Sequence, residues 1–163
     1  MSSFRSVLFV PRSLKKIGAV LIWAFWGLAN TLSAQSKDDA PVFSTKNGAI
    51  DGYDPVAYFT EGKPVKGQAT LTTTWKGAVW RFASALNRDQ FQKNPEKYAP
   101  QYGGWCAYGW AQGYPAKTEP DAWEIVEGKL FLNYNLRVQK MWREKKQEYI
   151  VKANDNYGRK HKE

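Results

Sequence analysis

The sequence has few of the residues from which most catalytic and metal sites are built. Among 163 residues it contains one cysteine, Cys106, and one histidine, His161, which lies in a basic stretch near the end of the chain. Because the common hydrolase sites pair a nucleophile with a histidine, a Ser-His-Asp or Cys-His site is excluded from the ordered domain. Structural zinc is equally poorly supported, since it takes four ligands of the cysteine and histidine type.

Other sequence signals of a defined activity are also absent. The chain has no glycine-rich phosphate motif, no internal repeat and no alternation of strands and helices typical of a parallel dinucleotide-binding sheet. Carboxylates are present, but their spacing specifies neither a metal site nor a glycosidase pair. We interpret them as helix caps and surface groups: Asp51, Asp54, Glu61, Asp121 and Glu124.

The start of the chain has the three-part pattern of a secretory signal peptide. Basic residues without any acidic residue are followed by an apolar run, residues 17–29, and by a short polar segment that ends at Ala34. The apolar run is shorter than the roughly 20 residues that span a bilayer, which favours cleavage near Ala34 over a retained anchor. We therefore expect a periplasmic or secreted protein that has no membrane span after cleavage.

The sequence predicts four segments in chain order. Residues 1–34 are the signal peptide, 35–48 a linker, 49–157 one folded domain and 158–163 a basic tail. Much of the formal net charge of +9 lies in the signal peptide and the end of the chain. Since an exported protein rarely meets nucleic acid, we expect no nucleic-acid partner for the tail.

Two β-hairpins are predicted within the domain. Residues 69–82 and 123–134 each contain two runs rich in β-branched and aromatic residues. The runs are joined by glycine-containing pairs at residues 76–77 and 127–128, which are typical of two-residue hairpin turns.

Helices are predicted around these hairpins. One short helix starts at Asp54, another runs from Asn87 to Asn94, and a long one starts at Asn135 with apolar residues at helical spacing. Together the elements predict an α+β domain, in which a small antiparallel sheet of hairpins packs against short helices and a long C-terminal amphipathic helix.

The stretch around Cys106 is the candidate functional site. A core cysteine normally lies in a periodic strand or helix, whereas Cys106 follows two glycines in a segment without a clean period. An unpaired thiol in an oxidising compartment is also exposed to oxidation, which favours a working role. The residues expected to shape the site are Tyr102, Gly103, Gly104, Trp105 and Tyr108.

Residue chemistry leaves three roles open for Cys106. As a nucleophile it needs a lowered pKa, and residues 106–111 are predicted to begin a short helix that stabilises the sulfur. As a metal ligand it favours Cu(I), but Met141 is assigned to the core face of the long helix, so a second ligand has to come from a second chain, a backbone atom or a carboxylate. As a packing residue it belongs to a domain that recognises another envelope protein.

In four motifs, which occur in the same order, the chain resembles the exported branch of the YHS domain family. The resemblance extends over roughly residues 50–157. The motifs are residues 52–59, 94–98, 102–107 and 128–135. The resemblance implies a small module similar to those of copper-transporting ATPases, with copper or another soft metal as ligand. Some exported relatives carry selenocysteine at the position of Cys106, which implies that this thiol is a working group. Many YHS domains have two cysteines, so the single thiol here implies an incomplete metal site within one chain.

The leading hypothesis from the sequence is an exported YHS-domain protein that binds Cu(I) or another soft metal through Cys106, transiently or between the two chains of a homodimer. The first alternative is a thiol-based redox enzyme, with peroxide or disulfide chemistry at the same cysteine. The second is a non-catalytic domain that recognises an envelope protein or a small ligand.

Overall fold

Consecutive pairs of short strands are separated by short helices along the part of the chain that the computed structural model describes, residues 40–162. The strands are β1 Ser44–Thr45, β2 Gly48–Ala49, β3 Gln68–Trp75, β4 Ala78–Phe82, β5 Trp123–Val126 and β6 Lys129–Leu132. The helices are α1 Ala57–Thr60, α2 Ala85–Lys93, α3 Pro95–Tyr98, α4 Ala107–Ala111, α5 Leu136–Glu144 and α6 Lys146–Lys160. Tight turns at Ile50–Gly52 and Gln101–Gly104 contain residues with positive φ.

The α+β class is confirmed, and both predicted hairpins are present. β3 pairs with β4 and β5 pairs with β6, both antiparallel, and β1 and β2 form a further small ladder. In the two predicted turns both central residues have positive φ, 48° and 74° at Lys76 and Gly77 and 51° and 72° at Glu127 and Gly128. This backbone matches the twist of the flanking strands, which is why the glycine-containing pairs located the hairpins correctly. The hairpins form separate two-stranded ladders.

The prediction of one uninterrupted C-terminal helix is wrong. Asn135 caps α5 as expected, since its side chain accepts a hydrogen bond from the backbone of Val138 at 2.9 Å. The helix then breaks at Lys145, whose φ of −134° and ψ of 41° are not helical. The two helices cover different parts of the domain: Trp142 of α5 packs on β6, whereas α6 packs on α4. A single straight helix does not follow both surfaces.

Two clusters of buried side chains form the core. One surrounds the β3–β4 hairpin and is centred on Trp80, Phe82 and Phe91, whose rings are in contact. The other contains Trp110 and Trp142, which are at most 1% exposed, and joins α4, β6 and both C-terminal helices. Burial of each large side chain contributes about 1.5–3 kcal/mol, so the aromatic residues supply much of the stability of a domain without disulfides.

Residues 40–48, the described part of the predicted linker, are folded onto the domain. Val42 is buried, and the backbone N–H of Phe43 donates to the carbonyl of Gly103 at 3.0 Å. The predicted basic tail is also partly structured, because α6 continues through Lys160. The predicted signal peptide, the cleavage position near Ala34 and residues 35–39 lie outside the described residues. None of the helices between residues 40 and 162 is both long and apolar enough to cross a membrane.

Asp54 connects three elements of the first half of the domain. Its carboxylate is fully buried and accepts hydrogen bonds from the backbone of Val56 at 2.8 Å, the backbone of Ala83 at 2.8 Å and the side chain of Asn87 at 2.7 Å. The interpretation of Asp54 as the cap at the start of α1 is confirmed. Asn87, predicted to cap the next helix, lies inside α2 instead, and Ser84 is the cap.

We expect Asp54→Ala to lower the free energy of unfolding by about 3 kcal/mol or more, because it leaves several buried donors without an acceptor. Urea unfolding followed by tryptophan fluorescence measures this loss. Asp89→Ala is the control: Asp89 is half exposed, pairs with Arg88, and is expected to change stability by no more than about 0.5 kcal/mol. Equal losses in the two variants would contradict the role of Asp54.

Candidate functional site

Cys106 lies immediately before α4. Its Sγ accepts a hydrogen bond from the backbone N–H of Gly109 at 3.3 Å, and its own N–H donates to the carbonyl of Ala116 at 2.9 Å. The sulfur therefore takes the place that a serine or aspartate oxygen takes at many helix starts. The prediction of a short helix that begins at Cys106 and directs backbone donors at its sulfur is confirmed.

The glycines before Cys106 make a close backbone contact. Tyr102, Gly103 and Gly104 all have positive φ, and a Cβ on Gly103 would lie 1.9 Å from the carbonyl oxygen of Pro41. No side chain fits at that distance, so the position of Gly103 requires glycine. The loop before the thiol is thus locked against the segment that precedes β1.

The predicted site-shaping side chains point in different directions. The hydroxyl of Tyr102 donates to the side chain of Asn154 in α6 at 2.9 Å, and the indole N–H of Trp105 donates to the carbonyl of Ala40 at 2.9 Å. The ring of Tyr108 packs against that of Tyr149. These side chains enclose the loop from several sides, and the backbone N–H of Tyr108 donates to the Asn133 side chain at 3.2 Å.

Burial dominates the chemistry of the sulfur. The residue is 1% exposed. Burial raises the pKa of the Cys106 thiol, and the backbone N–H groups of Gly109, Tyr134 and Tyr108 act in the opposite direction without reversing it. The helix start supplies a backbone donor, but burial acts against the lowered pKa that a nucleophilic role needs and favours the protonated thiol.

Asn133 is a polar residue beside Cys106 that was not predicted from the sequence as part of the site. It is fully buried at the end of β6, and its Oδ1 lies 3.9 Å from the Cys106 Sγ and accepts a hydrogen bond from the Tyr108 backbone at 3.2 Å. Its Nδ2 has no hydrogen-bond partner within residues 40–162. The signal was available: a polar residue directly follows the apolar run 130–132, inside one of the motifs that carry the resemblance.

The residues present do not fit a self-contained copper site. In the described part of the chain, no group of three or more histidine, cysteine, aspartate or glutamate side chains is placed to hold a metal ion. The hard amide oxygen of Asn133 lies 3.9 Å from the sulfur, whereas Cu(I) prefers a second soft ligand. Met141 is 41% exposed, so its assignment to the core face of the long helix is wrong. The ring of His161 stacks on that of Tyr157, with 4.0 Å between the ring centroids.

Comparison with known families supports the resemblance over part of the chain. The family model of the YHS domain matches residues 56–102. Neither among curated proteins nor among solved structures is there a match to the chain. The YHS likeness is thus confirmed for this segment, while the exported branch and its selenocysteine relatives stay predictions.

The matched segment bears on the question of metal binding. YHS domains are generally linked with the binding of metals, copper in particular. Residues 56–102, however, contain no cysteine, histidine or methionine, and the match ends before Cys106. If the family link to metals applies to this chain, Cys106 is the soft ligand to test. A second ligand has to come from outside the matched segment.

We expect the alkylation of Cys106 by iodoacetamide to be slow at neutral pH and to rise with pH through a midpoint above the ordinary thiol value of about 8.5, because burial raises its pKa. The measurement is the rate of thiol loss in the native protein between about pH 6 and pH 10, a range that brackets the ordinary thiol pKa. The same protein in urea is the control and should titrate near the ordinary value. A native thiol that reacts as fast as the unfolded one at pH 7 would contradict the structure.

Proposed function

We propose that the protein is a single-thiol redox domain in which Cys106 is oxidised by a small peroxide. The observation that carries the proposal is the hydrogen bond to the sulfur: the backbone N–H of Gly109 donates to it at 3.3 Å, and the side-chain oxygen of Asn133 lies 3.9 Å away as an acceptor for the thiol. A purely packing cysteine needs no such donor. Backbone donors stabilise negative charge on sulfur or on an oxygen bound to it.

Peroxide chemistry is favoured over disulfide chemistry because of the burial of the sulfur. At 1% exposure the Cys106 side chain is not accessible to the thiol of another protein, whereas a molecule of hydrogen peroxide is close to water in size. The chain also has no second cysteine with which Cys106 could form an internal disulfide. The expected product is therefore a sulfenic acid at Cys106, the first step of thiol oxidation.

The raised pKa sets the conditions for this reaction. The thiolate is the attacking species, so only the ionised fraction of Cys106 reacts. Since burial raises the pKa, that fraction grows as pH rises from neutral towards alkaline values. A slow reaction of this kind suits a sensor or a scavenger of limited turnover more than a fast peroxidase.

Soft-metal binding is the second candidate, and the observation that favours it is the YHS match at residues 56–102. In this alternative Cys106 supplies the soft sulfur, and a second ligand comes from another chain or a small molecule. Because Cys106 is buried, the site would have to open before another chain or a small molecule could bring a second ligand to the sulfur.

The peroxide proposal is tested by treating the folded full chain with hydrogen peroxide, removing the peroxide, and then unfolding the protein in dimedone, which traps sulfenic acids and is too large to reach the buried sulfur beforehand. We expect labelling at Cys106, located by peptide mass spectrometry, with a rate that increases with pH. Cys106→Ser is the negative control. Unlabelled Cys106 in a folded protein at alkaline pH, after exposure long enough to oxidise exposed methionine, would overturn the proposal.

The metal alternative is tested by anaerobic titration with Cu(I) in the presence of a competing chelator. Because the described residues give the sulfur no second soft ligand, we expect the unmodified chain and Cys106→Ser to take up copper equally. Uptake that depends on Cys106, with a dimer forming as copper is added, would support the alternative and count against the redox proposal.

A further inference from the structure

The outer edge of β5, on the side away from β6, lies at the floor of a groove of about 610 Å³. Trp123 and Glu124 both line the groove, and since consecutive strand residues point to opposite faces, only the edge of the strand borders both. α5 forms one wall through Leu136 and Arg143, and Tyr58 forms part of the other. The thiol is not part of this groove, so a role for the groove is independent of the chemistry proposed for the thiol.

The hydrogen-bond pattern of the hairpin shows which backbone groups face the groove. Along an antiparallel ladder, hydrogen-bonded and non-hydrogen-bonded pairs alternate. The N–H of Asn133 donates to the carbonyl of Ala122 at 2.8 Å, and this pair directly precedes the pair that Trp123 forms with β6. Trp123 and, two residues further on, Ile125 are therefore in non-hydrogen-bonded pairs, and their N–H and C=O groups point away from β6.

One of these edge groups has a partner from outside the hairpin. The side chain of Gln139, which is buried in α5, donates to the carbonyl of Trp123, in agreement with the outward direction of that group. In the described part of the chain, no residue outside the hairpin bonds to the N–H or the carbonyl of Ile125. An open strand edge of this kind is a template for the pairing of a further strand.

We propose that the groove binds an extended peptide segment of a partner protein, which adds to β5 as a third strand. Backbone hydrogen bonds to Ile125 supply the pairing, as they do in other domains that bind a peptide by extending a sheet. The edge lies between the wall of α5 and that of Tyr58, so a single extended chain reaches it. A second copy of the domain would have to bring a strand edge past both walls.

The charges beside the groove indicate the chemistry of the peptide. Glu124 accepts hydrogen bonds from Arg143 Nε and from Lys146 Nζ, both at 2.5 Å, so two cations share one carboxylate. The terminal NH₂ groups of Arg143 have no acceptor among the described residues. We expect an acidic side chain of the peptide to pair with this guanidinium group. Asp121 also lines the groove, which disfavours a uniformly acidic segment.

The apolar part of the groove sets the spacing of the peptide side chains. Trp123 and Ile125 project from one face of β5, and the ring of Tyr58 contacts that of Trp123 with 5.2 Å between the centroids. Glu124 projects from the opposite face. Because side chains alternate along an added strand as well, the peptide that fits has apolar residues in alternation with polar ones, and one of the polar residues is acidic.

The experiment selects binding peptides from a random library displayed on phage, with the purified full chain as the target. Enriched peptides are synthesised, and fluorescence anisotropy measures their affinities for the full chain and for two variants. Ile125→Pro removes the edge N–H without removing a bond to β6, since that N–H points into the groove. Ile125→Val keeps the donor and is the matched control.

We expect the enriched peptides to alternate apolar and polar residues and to contain an acidic residue. Ile125→Pro should weaken their binding by about tenfold or more, because the bound strand loses a backbone hydrogen bond and leaves its own carbonyl without a donor. Ile125→Val should weaken binding by no more than about fourfold, the effect of one methylene group.

Three results would overturn the inference. The first is a selection that enriches no peptide above a blank surface, and the second is equal binding of the enriched peptides by Ile125→Pro and Ile125→Val. The third is a chain that dimerises in solution and whose dimer is lost in Ile125→Pro, which would assign the edge to a second copy. Should Ile125→Pro not fold, peptides N-methylated at successive positions are titrated against the unmodified chain: losses at alternate positions support strand addition, and uniform tolerance overturns it.

Discussion

The contact between Gly103 and the backbone of Pro41 is the constraint on which the position of Cys106 depends. A Cβ at Gly103 would lie 1.9 Å from the Pro41 carbonyl oxygen, so only glycine allows the loop to lie this close to the segment before β1. The N–H of Phe43 and the indole of Trp105 add hydrogen bonds across the same contact. The loop then enters α4 in one direction only, which places the sulfur at the first turn of that helix and next to the end of β6.

Two opposing effects act on the sulfur in this position. Backbone donors favour the thiolate, while removal from water favours the thiol, and burial is the larger effect on the pKa. The same burial excludes large reaction partners, and the donor set lacks a second soft atom for copper. The proposed reaction with a small peroxide is compatible with this burial.

Elements that depend on local signals could be predicted from the sequence, and elements that depend on distant contacts could not. The hairpin turns at residues 76–77 and 127–128 need positive φ, and the glycine in each pair predicted the turn. Caps at Asp54 and Asn135, and the helix start at Cys106, are equally local. The break at Lys145 was missed because it arises from packing on two surfaces. Asn133 was missed because its importance comes from Cys106, which is remote in sequence.

The central claim is that the Cys106 sulfur itself reduces peroxide. The most direct measurement is the consumption of hydrogen peroxide by the purified full chain at alkaline pH, without any added reductant, followed until it stops. We expect each chain to consume about one equivalent, the number set by a single thiol that is oxidised to sulfenic acid, and Cys106→Ser to consume almost none. Equal consumption by the two proteins would contradict this role of Cys106.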